Sequence, residues 1–244
     1  MVRHGQSAGN VARAAADMAG HERIALSGRD VDVPLSPLGC AQAHALGRWF
    51  ARQAPTERPD VLLSSPYVRA LQTARHFRSS GGAPEDEPIC ADERLREKEF
   101  GILDGLTTRG VSSLQPDQYA FRQQLGKFYH RPPGGESWCD VIFRLRSLLD
   151  TVSLHYPGNR VMIFGHQVIV LCLRYILENM NERDVLDVDR AGEVANCGIT
   201  EYRHDATRGK SGNLVLVRYN YTAPIEQEAA TVTRAPDAPV AARG

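Results

Sequence analysis

A three-layer α/β domain around a mostly parallel sheet is the architecture this sequence predicts, and three observations predict it. Short apolar runs alternate with longer amphipathic stretches. Two of those stretches open on Ser-Pro, a helix-start signal. Polar residues able to do chemistry stand just after the apolar runs, where the ligand crevice of an open α/β sheet lies. The 244 residues suffice for one large domain with a substantial core.

The runs "DVLLSS" (60–65), "PIC" (88–90) and "RVMIFG" (160–165) predict buried strands. In "LSPLGCAQAHALGRWFARQ", Ser36 is the expected N-cap and Pro37 the first helical residue, with Leu38, Ala41, Leu46, Trp49 and Phe50 along one side. "SPYVRALQTARHF" repeats the device with Ser65 and Pro66. "ESWCDVIFRLRSLLDTVSLHY" sets Val141, Leu145, Leu148, Leu149 and Val152 at helical spacing. The apolar stretch "VMIFGHQVIVLCLRYIL" contains His166, Gln167 and Arg174, so it is expected to be strand, turn and helix rather than a membrane span. "CGITEYR" and "NLVLVRY", joined by "HDATRGKSG", predict an edge hairpin. Residues 11–34 are a charged, Ala-rich insertion, expected as a short helix and a loop. Residues 1–222 would form the domain; 223–244, rich in Ala and Pro, predict a tail without fixed structure. A strand leading into Arg3 has only Met1 and Val2 to draw on, which favours a start upstream of Met1.

Lys and Arg total 29, as do Asp and Glu, so no net field attracts nucleic acid or an anionic membrane. An anion site must then be local. Cys40, Cys90, Cys139, Cys172 and Cys197 form no CxxC pair and predict free thiols. With polar first residues in place of a signal peptide, the expected compartment is the cytoplasm.

Arg3-His4, Arg69, Glu97 and His166 all fall after predicted strands or in nearby loops. Arginine forks match phosphate oxygens. Arg69 adds the first turn of a helix, whose N–H groups favour an anion. An imidazole can attack phosphorus, a carboxylic acid can protonate the leaving alkoxide and then activate water, and a protonated histidine can hold the transferring charge. This chemistry needs no metal and no cofactor. Within "DERLREKE", the expected exposed charged face comprises Glu93, Lys98 and Glu99.

"RHGQSAGN", "SSPYVRALQTA", "LREKEFGILDG", "PPGGES" and "GHQ", in that order, resemble the histidine phosphatase superfamily, in its phosphoglycerate mutase-like branch. The resemblance spans the chain except residues 11–30 and the tail. It implies His4 as the phosphorylated nucleophile, Arg3, Arg69 and His166 around the phosphate, and Glu97 as proton donor. Asn10 and Gln6 match pocket-lining positions. Locally, "PDQYAFRQQLGKFYHRPPGGESWCDVIFRL" and "GHQVIVLCLRYIL" are similar to the fructose-2,6-bisphosphatase domain. Arg122, Lys127 and Gln167 then match groups that grip a sugar phosphate. Two departures cut against that substrate: Pro132 stands where that family has tyrosine, and Leu171 where it has arginine.

The function expected is a phosphomonoesterase acting on a small phosphorylated metabolite. A phosphoglycerate mutase-type transfer ranks second, because the Ala/Pro tail does not resemble an ordered lid. A non-catalytic phospho-ligand module ranks third, since His4, Glu97 and His166 are all retained. Glu136 and Ser137 are expected to cap the helix that follows. The insertion, lying directly after the nucleophile motif, is a candidate substrate-selecting lid.

Overall fold

In the computed structural model, residues 1–209 and 212–236 are described. In chain order the strands are β1 (Val2–Arg3), β2 (Val61–Ser64), β3 (Ile89–Ala91), β4 (Val161–Gly165), β5 (Ile199–Asp205) and β6 (Asn213–Tyr221). The helices are α1 (Ala8–Met18), α2 (Pro37–Ala51), α3 (Val68–Ser79), α4 (Thr108–Leu114), α5 (Pro116–Tyr129), α6 (Trp138–His155), α7 (Gln167–Leu177), α8 (Glu182–Ala191) and α9 (Ala223–Gln227). The sheet runs β3-β2-β4-β1-β5-β6. The β1–β4, β2–β4 and β2–β3 pairs are parallel, and β5 and β6 add the expected antiparallel edge hairpin.

β2 and β4 are apolar on both faces because helices cover both, whereas β3, expected to be buried, is half-buried at Ile89 and exposed at Cys90 and Ala91. Leu62, Met162 and Phe164 point to one side, with Ala43, Leu46, Phe50, Ala74 and Phe77 of α2 and α3. Val61, Leu63 and Ile163 point to the other, with Leu145, Leu148, Ile169 and Val185 of α6, α7 and α8. The fold is the expected three-layer α/β/α arrangement.

Ser36 caps α2 as expected, accepting the Gly39 N–H at 3.0 Å. The analogous expectation for Ser65 fails. Ser65 still continues β2, giving its N–H to the Phe164 carbonyl, and α3 starts only at Val68 behind Tyr67. Ser137 caps α6 in a capping box with Asp140, whereas Glu136 instead pairs with Arg96 and Arg144. The insertion holds α1 and a 3₁₀ turn at Asp30–Asp32.

Residues 223–236, expected to lack fixed structure, instead form α9 and an extended segment. Ile225 buries completely among the α2–α3 side of the core, and Gln42 donates to the Thr231 carbonyl and Thr233 Oγ1. A few anchors suffice where composition suggested none. Residues 237–244, the rest of that expectation, lie outside the described residues.

Candidate active site

Register brings the two histidines together. Parallel pairing sets Arg3 opposite Gly165, so the residues that follow, His4 and His166, leave adjacent strands side by side. The His4 N–H donates to the Gly165 carbonyl at 2.9 Å, and the two rings lie 5.2 Å apart, centre to centre. Both are fully buried. The next strand, β2, pairs Ser64 with Phe164, which puts Ser65 beside His166, with its Oγ 2.8 Å from His166 Nε2.

Close packing explains the glycine after His4. A Cβ on Gly5 would lie 2.5 Å from the Gly39 carbonyl oxygen, and one on Gly39 only 1.9 Å from that of Gln6. The His4–Gln6 loop therefore rests directly on the first turn of α2. Gly5 N–H donates to Thr73 Oγ1, and Thr73 donates to the Arg69 carbonyl, which ties this loop to α3.

The partners of His4 fix its tautomer. Nδ1 lies 2.7 Å from the Gly5 carbonyl, an oxygen that can only accept. Nδ1 must carry the proton, so in the neutral ring Nε2 holds the lone pair. For His166, Ser65 Oγ already accepts the Tyr67 N–H and can also take the Nε2 proton of an imidazolium.

Both arginines are buried. Arg3 donates to the carbonyls of Val194 and Ala235. Arg69, in the first turn of α3, gives Nη1 to Asp30 Oδ1 and to the Asp30 carbonyl, and Nη2 to Asp30 Oδ2. Tyr67 joins these groups. Its ring lies 5.2 Å from that of His166 and 5.0 Å beneath the Arg69 guanidinium, and its hydroxyl donates to Glu99. Burial first, and then the charges of Glu99, Asp30 and Glu97, push the Tyr67 phenol well above its ordinary range.

Glu97 is buried and accepts the Lys98 N–H at 2.8 Å. Asn10 completes the capping box of α1 with Ser7 and sends its amide to the Ala235 and Pro236 carbonyls, while Asn196 bridges Asn10 and the His4 carbonyl. Gln6 is turned toward α2, where its Oε1 accepts from Ser36 Oγ.

The second group also assembles. Lys127 pairs with Asp189, and Gln167 donates to Glu193. Arg122 is lowered by burial, with Asp189 opposing. Between Arg122 and Lys127, α5 kinks at Gly126 (φ 78°, ψ 161°). Lys98, expected on an exposed face, is instead buried, with Nζ 4.3 Å from the Phe100 ring centre. Burial, and then Arg122, lower its amine to about 8. Nothing in a charged run marks which member turns inward. Of the departures, Leu171 is buried core. Among the described residues, no cluster of three or more His, Cys, Asp or Glu could hold a metal ion.

The profile of the histidine phosphatase superfamily (branch 1) matches residues 1–216. The chain belongs to that superfamily. Its relatives include both mutases and phosphatases. It is 25% identical to "Probable phosphoglycerate mutase GpmB" of Yersinia enterocolitica, over 94% of this chain and 95% of that one. It is 30% identical to "Putative phosphoserine phosphatase 2" of Hydrogenobacter thermophilus, over 79% and 89%. A 36% match to "Probable 6-phosphofructo-2-kinase" of Schizosaccharomyces pombe takes in 50% of this chain but only 17% of that protein. Among solved structures, Bacillus stearothermophilus YhfR superposes with a TM-score of 0.71 at 23% identity, covering 92% of this chain and 96% of that one. Among the described residues no helix is long and apolar enough to cross a membrane.

Proposed function

We propose that the chain is a phosphomonoesterase that hydrolyses a small phosphorylated metabolite through a phosphohistidine at His4. The observation that carries this is the His4 ring: Nδ1 on the Gly5 carbonyl leaves Nε2 as the nucleophilic atom, beside His166. Arg3, Arg69 and a protonated His166 hold the phosphoryl oxygens. Nε2 attacks phosphorus as the ester P–O bond breaks, and Glu97, as the acid, gives its proton to the leaving alkoxide. Glu97, now a carboxylate, takes a proton from water; the water oxygen bonds to phosphorus, the P–N bond breaks, and inorganic phosphate leaves. No step calls for a metal.

Lys98, Arg122 and Lys127, gathered with Asp189, Glu193, Glu97 and Glu136 about them, support a leaving group with its own anionic substituent, such as a second phosphate or a carboxylate. Balanced net charge favours a small ester over nucleic acid, and five unpaired cysteines support a reducing cytoplasm.

One observation favours phosphoryl transfer as a second reading. The tail, set aside by its composition, runs across Arg3 and Asn10, where it would limit water at a phosphoenzyme. The deciding assay measures phosphate release in EDTA from p-nitrophenyl phosphate, sugar phosphates and bisphosphates, 3-phosphoglycerate and nucleotides, with His4→Ala as control. Release lost in His4→Ala supports the hydrolase. Interconversion of phosphoglycerates without release supports the mutase. Release that survives His4→Ala overturns both.

A further inference from the structure

We propose that Asp30, in the insertion after the nucleophile motif, is a positioning residue that fixes Arg69 for phosphate. This rests on the reading of Arg69 as a phosphate ligand. A guanidinium carries five N–H groups on rigid, planar edges. Asp30 takes three of them: both hydrogens of Nη1, through its carbonyl at 2.7 Å and Oδ1 at 3.0 Å, and one of Nη2, through Oδ2 at 2.9 Å. The two carboxylate bonds, one from each Nη, take the end-on edge, and the carbonyl takes the remaining Nη1 hydrogen. The two N–H groups of the other edge, on Nε and Nη2, are parallel and spaced to meet two oxygens of one phosphate. A carboxylate clamped on the first edge therefore sets the direction of the second.

The surroundings make this clamp rigid. Arg69 is 2% exposed and lies over the Tyr67 ring, while Asp30 is held in its 3₁₀ turn, where its carbonyl also accepts the Val33 N–H at 3.2 Å. The insertion is closed at its base, where the Ala8 N–H meets the Pro34 carbonyl at 2.9 Å. Arginine has several rotatable bonds, and freezing them before ligand arrives removes that ordering cost from binding. The insertion thus supplies a part of the phosphate grip that none of the five motifs contains.

The test is binding of inorganic phosphate and orthovanadate by calorimetry, on the full chain. Asp30→Asn keeps the shape but weakens the clamp, and should bind both anions about tenfold more weakly. Asp30→Glu should recover part of that loss. In the Arg69→Ala background, Asp30→Asn should change nothing further, because Asp30 acts through Arg69. Tighter binding in Asp30→Asn would overturn the proposal by showing a carboxylate that competes with phosphate for the fork. A lowered melting temperature with unchanged binding would overturn it by showing a merely structural pair. Wild type and Arg69→Ala binding alike would instead remove the reading of Arg69 on which the proposal rests.

Discussion

Gly39→Ala tests whether the candidate nucleophile loop is held by close packing on α2. The added Cβ would stand 1.9 Å from the Gln6 carbonyl oxygen, against an ordinary C···O approach of about 3.3 Å. Loop and helix must therefore separate by about 1.4 Å. That breaks the Ser36 N–H bond to the Gln6 carbonyl (2.8 Å) and disturbs the cap on Gly39 N–H. Each is worth about 1 kcal/mol, and crowding adds about 1 more. Alanine returns about 1 kcal/mol of helix propensity, so the net loss is about 2 kcal/mol, or about 6 °C in melting temperature. His4 lies two residues from Gln6. A displacement on the order of 1 Å at a reacting group costs about a hundredfold in rate. Gly110→Ala is the matched control: its Cβ would meet the Glu22 carbonyl oxygen at the same 1.9 Å, in α4. Thermal melts and kcat/KM on p-nitrophenyl phosphate should show both variants destabilised, and only Gly39→Ala slowed about a hundredfold. Equal rate losses in the two, or a Gly39→Ala rate like that of wild type, would refute the reasoning.

Three further outcomes follow from the structure. Lys98 gives up its proton at about 8 in the fold, against 10.5 as its ordinary value, so the unfolded chain binds more protons between these values. Stability from this group therefore rises with pH across that window, by up to about 3 kcal/mol, and Lys98→Met should flatten the rise in denaturant titrations at pH 7.5 and 10. Glu136→Ala removes the carboxylate that joins Arg96 to the nearly buried Arg144 and accepts the Glu99 N–H, and should cost about 3 kcal/mol in urea unfolding. Ending the chain after Ala230 removes the carbonyls seated on Arg3, Asn10 and Gln42; rapid-quench measurement should find a phosphoenzyme that hydrolyses faster than in the full chain.

What was legible in the sequence was whatever the parallel sheet fixes by register. His4 and His166 come together because β1 and β4 end in step, and apolar runs followed by polar residues record that directly. Identical local signals, however, did not carry identical structure. Ser36-Pro37 opens a helix, while Ser65-Pro66 does not, because the Ser65 N–H is taken by β4 and its hydroxyl faces His166. Lys98 and Asp30 sit in charged runs whose pattern suits an exposed face, and only tertiary packing turns them inward. The tail misled through its composition. Ile225 and Thr233 are single anchors, and their partners Leu46, Gln42 and Asn196 are distant in sequence.

The helix α5 departs from the ordinary surface pattern. An ordinary surface helix turns its apolar stripe inward. Here Phe121, Leu125 and Tyr129 are exposed, and Arg122 and Lys127 face Asp189. Drawing two cations partly out of solvent while exposing three large apolar groups costs stability, so packing alone does not select this arrangement. If Lys98, Arg122 and Lys127 take the anionic end of the substrate as proposed, a bound anion would offset part of that cost. On the proposed function the strand ends carry the chemistry, and the insertion, α5 and the tail reach the site from other parts of the chain. Each of them bears on one element of the site, respectively Arg69, the second cationic group and Arg3, so under the proposed function substitutions there should alter substrate preference and leave the roles proposed for His4 and Glu97 in place.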